Sequence, residues 1–473
     1  MLNPILQQIK SHFDKIITDG KADFGPDPNS MWMASLDVRT GKYPDPPPDD
    51  ENQRIHHYAH APGGVNAYWD QPHLVAAHVL SQIIGDLRYA EAVDSYLRDF
   101  LQRSISYYDL FLWGDHYYYH TARGEVVMVA PRRPPEALQT HRITGFLNEL
   151  RPITPAWELF WQVDPAATER CIRAMGSYHI VDTQTGAYNH HADQQAGYNF
   201  LETGAVLVES LAWLYAKTQD TSLHERALRI ATFSFDSRNQ DTGLLPVASV
   251  SNRWDEHTST TEVGLWAMAM IRAAAYTNDQ TFRDMAQNAV SAYLLYGWDS
   301  ETERYFGRLN TDDGTPQRDL FEGEDLIANQ PRAYSDIWNG WFPSHDYPLA
   351  LAEVCCALYE HSGQHEFEIA IHRWGSIIHA SLAENTPPVR YAEHFGRAIH
   401  FLLRASKSFV DQPYRMWAAG LADEAIDLLF AHDMFRSNTS EDRYHAVDGM
   451  GFLLLALMEL ETNQPLELMG LGF

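Results

Sequence analysis

Cysteine is scarce in this chain. The 473 residues include three cysteines, Cys171, Cys355 and Cys356, and the last two are adjacent within an apolar run. Adjacent cysteines rarely bridge each other, and no CxxC pair is present, which excludes a disulfide framework and a CxxC metal site. We expect the three thiols to serve as small buried apolar side chains.

Positive charge is also scarce. Lysine and arginine total 35 against 63 acidic residues, which gives a net charge of -28. A field of that sign argues against nucleic acid or an anionic membrane as a partner. An anionic substrate would therefore need a local group of basic side chains. Hydrophobic residues make up 45% of the chain, which is ample for a large core. The sequence leaves the oligomeric state open.

Long apolar runs are missing. The sequence has no stretch of 18 apolar residues, so we expect no segment that crosses a membrane. The N-terminal stretch MLNPILQQIKSHFDKII is amphipathic and lacks the continuous apolar centre of a signal peptide. These features predict a cytoplasmic location, or a periplasmic or secreted one if a leader segment has been removed.

Strand patterns are rare, and helical patterns come in pairs. In each pair a largely apolar helix rich in Ala and Gly precedes an amphipathic helix with a 3.6-residue period. Six such pairs occupy residues 72–102, 157–178, 202–235, 261–295, 347–382 and 390–431. A final apolar helix at 448–461 and an amphipathic first helix at 3–17 have no neighbouring partner, so we expect them to pair with each other.

This repetition predicts an all-α fold. Seven buried and seven outer helices would close into an (α/α)7 toroid, with a six-hairpin ring as the alternative. We expect a single domain over residues 1–473, with an insertion around 105–152. Within that insertion YYYHTARGEVVMV has the pattern of a small β-hairpin.

The loops that lead into the apolar helices are long, polar and aromatic. One of them is YNHHADQQAGYNFLETG, residues 188–204. In a helical toroid such loops emerge on one face, so they should surround the mouth of a funnel, the usual form of a ligand pocket. The chain has no HExxH, GxSxG, P-loop or strand-to-helix GxGxxG motif, which argues against nucleotide cofactors and serine-hydrolase chemistry. We expect no cofactor and name no metal ligands, and the sequence leaves open whether a metal is required.

Paired helices in a ring, with Trp, Tyr, His and Arg at one mouth, resemble the α/α-toroid carbohydrate enzymes. The seven-hairpin count is similar to that of polysaccharide lyases acting on uronates, such as glucuronan and alginate lyases. Six-hairpin members include unsaturated glucuronyl hydrolases and N-acyl-glucosamine 2-epimerases. The resemblance implies an enzyme, a polysaccharide lyase that cleaves a uronate-containing oligo- or polysaccharide by β-elimination.

Such a lyase needs a group that stabilises the uronate carboxylate, a base at C5 and an acid at O4. The resemblance implies Tyr334 as the acid or acid/base and His191 as the base. Asn199 or Glu262 would bind the carboxylate, and Arg332 would supply positive charge. The substrate-binding side chains expected in the loops are His57, Trp69, His116, Tyr118, His190, Glu202, Arg253, Trp254, His257, Trp338 and His394.

Some of these residues have a structural alternative. Ser259 and Glu262 match a capping box at the start of a helix, and Glu202 is an acid in a first helical turn, where the helix dipole favours it. The HHADQQ stretch also suits a turn network before a helix.

Three rival functions stay open. A glycoside hydrolase would need two carboxylates roughly 5 to 9.5 Å apart, with Asp115, Asp255, Glu262 and Asp336 as candidates. A sugar epimerase would use paired histidines for proton transfer. A helical-repeat protein that binds glycans without chemistry is the alternative from another class. The sequence leaves open the glycan, its linkage and the choice between exo and endo action.

Overall fold

Fourteen α-helices occupy the part of the chain that the structure, a computed structural model, describes. That part comprises residues 3–43, 61, 63–114, 117–128, 136–137, 149–249, 255–317, 334–338, 347–381 and 389–464. The helices are α1 (Pro4–Asp19), α2 (Ala67–Ile84), α3 (Arg88–Arg103), α4 (Trp157–Val163), α5 (Pro165–Tyr178), α6 (Leu201–Thr218), α7 (Thr221–Asp236), α8 (Thr260–Thr277), α9 (Gln280–Tyr296), α10 (Ala350–Ser362), α11 (His365–Ser381), α12 (Ala392–Ser408), α13 (Tyr414–Leu429) and α14 (Met450–Thr462).

Burial alternates between successive helices, as the sequence predicts. Helix α6 is buried on nearly every side from Leu201 to Leu214. Helix α7 buries only a stripe that includes Leu223, Ala227 and Ile230. That stripe has the spacing of one helix face, so the opposite face of α7 meets solvent.

Short joints separate the two helices of a pair. Asp220 accepts a hydrogen bond from the backbone N–H of Ser222 at 3.1 Å and caps α7. Asp279 accepts from the N–H of Thr281 at 2.9 Å and caps α9. Both caps satisfy backbone donors that a helix start leaves without an intrahelical partner. Each is the Asp that ends a short joint, TQD or TND, between two helical patterns in the sequence.

Contacts between residues divide the chain into two compact units. The first contains residues 1–145, 158–171 and 386–471, and the second contains residues 146–157, 172–385 and 472–473. The single-domain organisation stays a prediction.

In the first unit, α14 packs against α12 on one side and α2 on the other. Helices α3 and α13 pack on α2 and α12, and α1 contacts α14. The Asn3 amide donates a hydrogen bond to Glu461, and His12 Nε2 lies 2.8 Å from His73 Nε2 in the core. The predicted pairing of the first and last helices is therefore confirmed.

In the second unit, α8 packs between α6 and α10. The amphipathic helices α7, α9 and α11 pack on α6, α8 and α10, respectively. This unit repeats one buried helix followed by one outer helix three times, which is the pairing expected from the sequence.

Glycine lets the buried helices approach closely. A Cβ on Gly451 of α14 would lie 2.1 Å from the carbonyl carbon of Pro72 in α2. A Cβ on Gly264 of α8 would lie 2.4 Å from the carbonyl carbon of Ala350 in α10. At both crossings the backbone of one helix occupies the space that a side chain would need.

Strands are short and lie between the helices. They are β1 (Ser35–Asp37), β2 (Gly64–Val65), β3 (Tyr117–His120), β4 (Glu125–Met128), β5 (Glu136–Ala137), β6 (Ile180–Asp182), β7 (Ala187–Tyr188), β8 (His257–Ser259), β9 (Trp298–Asp299), β10 (Arg304–Tyr305), β11 (Arg308–Asn310), β12 (Phe430–Ala431), β13 (Met434–Phe435) and β14 (Arg443–His445). All pairings are antiparallel: β2–β3–β4–β5 form one sheet, and the pairs β1–β14, β6–β7, β8–β11, β9–β10 and β12–β13 form the others.

The β3–β4 hairpin confirms the prediction for YYYHTARGEVVMV, with Tyr117 opposite Met128 and His120 opposite Glu125. The other strands were not predicted, because two or three residues are too few to show alternation. Among the described helices, none is both long and apolar enough to cross a membrane.

Candidate functional site

The loop before α6 brings two histidines and a glutamate together. The paired-histidine cluster, as we call Glu149, His190 and His191, has one ligand-type atom from each residue, and these atoms all lie within 4.8 Å of one another. His191 Nε2 is 3.2 Å from Glu149 Oε1. All three residues belong to the second unit.

Backbone pairing builds this cluster. The β6–β7 hairpin ends at Tyr188, and the His190 N–H then donates to the carbonyl of Tyr198 at 2.8 Å. Glu149 forms a bridge with His191, and the N–H of Leu150 donates to the carbonyl of His190 at 3.1 Å. A segment some 40 positions upstream is thereby fixed beside the histidines.

Asn189 anchors the turn. Its backbone carbonyl lies 3.1 Å from His179 Nδ1, and its side-chain amide donates to Asp193 at 3.1 Å. A Cβ on Gly197 would lie 2.7 Å from the Asn189 amide nitrogen, so the loop folds back tightly on itself. The predicted turn network is therefore present, and it holds the cluster in place.

Burial in the cluster favours a neutral His190. Burial, with the nearby His191 second, lowers the pKa of His190 to about 3, so the ring is uncharged at neutral pH. Glu149 also pairs with Arg151, whose guanidinium nitrogen is 3.4 Å from Glu149 Oε2. The Glu149 carboxylate therefore sits between a guanidinium on one oxygen and an imidazole on the other.

The same three side chains fit a divalent cation. Protein nitrogen and oxygen ligands bind zinc-like ions at about 2.0–2.2 Å in a tetrahedral arrangement, so two ligand atoms of one ion lie roughly 3.5 Å apart. The three ligand-type atoms of the cluster all lie within 4.8 Å of one another. Imidazole and carboxylate suit first-row divalent ions. No metal ligands were predicted because the chain has no metal-ligand motif such as HExxH. The three cluster residues follow no such spacing, since Glu149 lies far from the histidines along the chain.

Other predicted residues of the second unit lie near this loop. Asn199 donates to the Ser249 hydroxyl and accepts from the Ser249 N–H at 3.1 Å. The carbonyl of His257 accepts from the N–H of Val247 at 2.9 Å, and His257 is buried in β8. The segment 247–249 thus joins the loops before α6 and α8. Binding a substrate carboxylate through Asn199 would require its bonds to Ser249 to break.

Two predicted acids occupy first helical turns. The Ser259 hydroxyl accepts from the N–H of Glu262 at 3.3 Å, which confirms Ser259 as the cap of α8. Glu202 lies half-buried in the first turn of α6, where the helix dipole favours an acid.

Tyr334 and Trp338 make contacts with other parts of the second unit. The Tyr334 hydroxyl donates to Asp299 Oδ2 at 2.6 Å, and its ring stacks on Phe306 with centroids 5.2 Å apart. Trp338 Nε1 donates to the Ser381 hydroxyl at 2.6 Å. Tyr334 would have to leave Asp299 to act as the predicted acid, so that role stays a prediction.

In the first unit, three predicted side chains are buried. Trp69 packs edge-on against Tyr68, with ring centroids 4.5 Å apart. Tyr118 is buried in β3, and burial raises the pKa of its hydroxyl. His394 is buried at the start of α12 with its ring 5.6 Å from that of Tyr391. Five further predicted residues lie outside the described residues: His57, His116, Arg253, Trp254 and Arg332.

Two of the three cluster residues, His190 and His191, were predicted from the sequence, and Glu149 was not. Glu149 lies in the stretch NELRPITP, which carries no pattern that points to the histidines. Only the backbone pairing of residues 149–150 with 190–191 brings it there. That the loops before the apolar helices surround one funnel mouth stays a prediction.

A family model described as periplasmic pectate lyase matches residues 66–203, a segment that includes the whole paired-histidine cluster. This match corrects the expected cytoplasmic location, because the family it describes is periplasmic.

Solved structures show the fold. A family 76 glycoside hydrolase from a bovine Bacteroides thetaiotaomicron strain is similar with a TM-score of 0.50 and 11% identity, over 98% of this chain and 78% of that chain. The family 76 α-1,6-mannanase of Salegentibacter sp. HEL1_6 has a TM-score of 0.47 and 9% identity, over 97% and 98%. Unsaturated glucuronyl hydrolase of Bacillus sp. GL1 has a TM-score of 0.43 and 12% identity, over 65% and 84%. The chain has the α/α-toroid scaffold on which carbohydrate-active enzymes are built, as its helix pairs predict.

Proposed function

We propose that this protein is a polysaccharide lyase that cleaves a uronate-containing glycan by β-elimination at the paired-histidine cluster. The observation that carries the proposal is the convergence of Glu149, His190 and His191 in the loop before α6. The family model that spans this loop describes lyases, which supports the same reaction class.

His191 has the geometry of a base. When its Nε2–H donates to Glu149 Oε1 at 3.2 Å, the ring proton is held on Nε2 and Nδ1 keeps its lone pair. Nδ1 can then take the C5 proton of a uronate, and Glu149 stabilises the imidazolium that forms. The side chain is one quarter exposed, so solvent and substrate reach it.

The electrons released at C5 move toward the uronate carboxylate and expel the O4 substituent, which must gain a proton. Positive charge beside that carboxylate stabilises the enolate-like intermediate. In this proposal Arg332 and Arg253 serve that purpose and Tyr334 protonates O4. Arg151 is already engaged with Glu149, because its guanidinium nitrogen lies 3.4 Å from Glu149 Oε2.

A divalent cation, if bound, would use Glu149, His190 and His191 as ligands and would neutralise the uronate carboxylate. The neutral state of His190, whose pKa is lowered to about 3, suits a ligand, since a ring nitrogen must be free of its proton to bind an ion. Treatment with a chelator distinguishes a cluster that binds a cation from one in which His191 is the base. If turnover is lost and an added divalent ion restores it, the cluster binds a cation. If turnover is unchanged, His191 acts as the base.

The test is to incubate the protein with a panel of polyuronates and to record the ultraviolet absorbance of the unsaturated product. His191→Ala should lower turnover by about 10² to 10⁴-fold, the usual effect of losing a general base. Glu149→Gln should also lower turnover, because the amide cannot stabilise an imidazolium.

The chain offers a matched control. His224 and Asp279 form a histidine–carboxylate pair at 3.0 Å with nearly the same exposure as His191 and Glu149, but at outer helices α7 and α9. His224→Ala should leave turnover unchanged. Reducing ends that appear without ultraviolet absorbance would identify a hydrolase instead, and a wild-type protein inactive on every polyuronate would reject the lyase proposal.

A further inference from the structure

Tyr198 is an exposed aromatic side chain beside the paired-histidine cluster. Its exposed fraction is 46%, whereas most large aromatic side chains of the second unit that the structure describes are buried. The backbone explains its position, because the Tyr198 carbonyl accepts from the His190 N–H at 2.8 Å and holds this residue directly opposite the first histidine.

Three rings at this place lie in nearly parallel planes. The Tyr198 and His190 centroids are 5.8 Å apart with planes inclined by 7°, and Tyr198 and Phe200 are 5.6 Å apart at 10°. Phe200 and His190 are 5.0 Å apart, also at 10°. The three rings are therefore stacked with their planes nearly parallel. His190 belongs to the cluster, and Tyr198 is exposed to solvent.

The loop is built to keep these rings in place. The Phe200 backbone bridges to Ala248, and its carbonyl accepts from the Tyr188 hydroxyl at 3.1 Å. Tyr188 is buried under α6 and α7, where it also contacts the Ser234 hydroxyl at 3.1 Å. A rigid support of this kind lowers the entropy cost of binding a flat ligand on the exposed ring.

We propose that Tyr198, with the Phe200 ring stacked beside it, is a sugar-stacking subsite that binds the glycan unit next to the one at the paired-histidine cluster. The inference rests on the proposed function and adds where the neighbouring unit lies. An aromatic face is electron-rich and pairs with the positively polarised C–H bonds on the flat side of a sugar ring. The Tyr198 and His190 ring centroids are 5.8 Å apart, so a sugar on Tyr198 would lie next to the unit held at the cluster.

This placement has a consequence for the length of substrate that the protein prefers. A glycan that covers both the cluster and Tyr198 gains the stacking interaction, and one too short to reach Tyr198 does not. The subsite is thus expected to set affinity for longer chains while the chemistry stays at His191.

The experiment compares Tyr198→Ala and Tyr198→Phe with wild-type protein on uronate oligosaccharides of increasing length. Tyr198→Ala should raise KM for the longer substrates by about 2- to 10-fold, the scale of one aromatic stacking contact. The value of kcat, and KM for the shortest cleaved substrate, should change less than about 2-fold. Tyr198→Phe keeps the ring and should behave as wild type. Tyr107→Ala, which removes a tyrosine 77% exposed on another loop, is the control and should have no effect.

The outcomes separate this inference from the proposed function. Wild-type cleavage together with an unchanged KM in Tyr198→Ala overturns the subsite and leaves the lyase in place. A fall in kcat at every length, or a Phe variant as weak as the Ala variant, overturns stacking as the role of Tyr198. If the wild type cleaves no polyuronate, affinity electrophoresis in gels of polyuronate and of neutral glycan replaces the kinetics. Retention that is weaker for Tyr198→Ala then supports the subsite without the lyase, and a wild type that is retained in no gel overturns both.

Discussion

Replacing Gly451 by alanine should destabilise the protein, although alanine is the better helix former. The Cβ of an alanine at this position in α14 would lie 2.1 Å from the Pro72 carbonyl carbon and 2.3 Å from the His73 backbone nitrogen. Ordinary contact begins at 3.4 Å, so α14 and α2 would have to separate by more than 1 Å locally. Because the obstacle is backbone, no side-chain rotation can relieve the clash.

The magnitude follows from two opposing effects. Alanine in place of glycine within a helix gains about 0.5–1 kcal/mol from backbone entropy. Inserting a methyl group into a filled helix crossing typically costs about 1–3 kcal/mol. The clash is with backbone, so we expect the upper part of that range and a net loss of roughly 1–2 kcal/mol in the free energy of unfolding.

The assay is urea unfolding followed by tryptophan fluorescence and by helical circular dichroism. Gly420→Ala is the matched control, because Gly420 lies within outer helix α13 and a Cβ there meets nothing within 4 Å. Gly420→Ala should raise the unfolding midpoint and Gly451→Ala should lower it. A Gly451→Ala protein with a midpoint equal to or above that of Gly420→Ala would refute the argument that glycine is required by the close approach of α2 and α14.

Two further predictions concern titratable groups. The hydrogen bond from Tyr334 is the largest cause that lowers the pKa of Asp299, so Tyr334→Phe should raise that pKa toward its ordinary value in an NMR titration. A loss of turnover of about 10²-fold or more in the same variant would support the predicted acid role of Tyr334. Full turnover would exclude that role. Burial lowers the pKa of His12 from 6.5 to about 3, so the unfolded chain binds more protons between these values and stability should fall as the pH drops below about 6.5. The unfolding midpoint of His12→Gln should depend less steeply on pH in this window, and an equally steep dependence would show that His12 is not the group responsible.

The helix pairs and their burial could be predicted from the sequence because local periodicity reports which face of a helix is apolar. Helices α6 and α7 differ in this respect along their own residues, without reference to the rest of the fold. The capping residues Asp220, Ser259 and Asp279 were also visible, since a cap and its donor are two or three positions apart. The pairing of α1 with α14 followed from the same pattern, because each had an apolar surface without a neighbour.

The candidate site was predicted only in part. His190 and His191 stand out because a dense polar stretch precedes an apolar helix, and Tyr198 lies in the same stretch. Glu149, the partner of His191, was not predicted, because a glutamate in an irregular segment has no periodic signal. Likewise, no pattern in the sequence around Tyr334 indicates that its hydroxyl donates to Asp299 at 2.6 Å.

The sequence by itself determined the repeated helix pairs, their caps and the loop in which the histidines lie, since all of these depend on residues within a few positions of one another. Tertiary structure alone decided that Glu149 reaches His191, that Tyr198 stands parallel to His190, and that Gly451 meets the backbone of Pro72. Each of these contacts joins side chains or backbones through irregular loops or helix crossings. Their geometry is set by how whole helices pack, and no local pattern of residues encodes it.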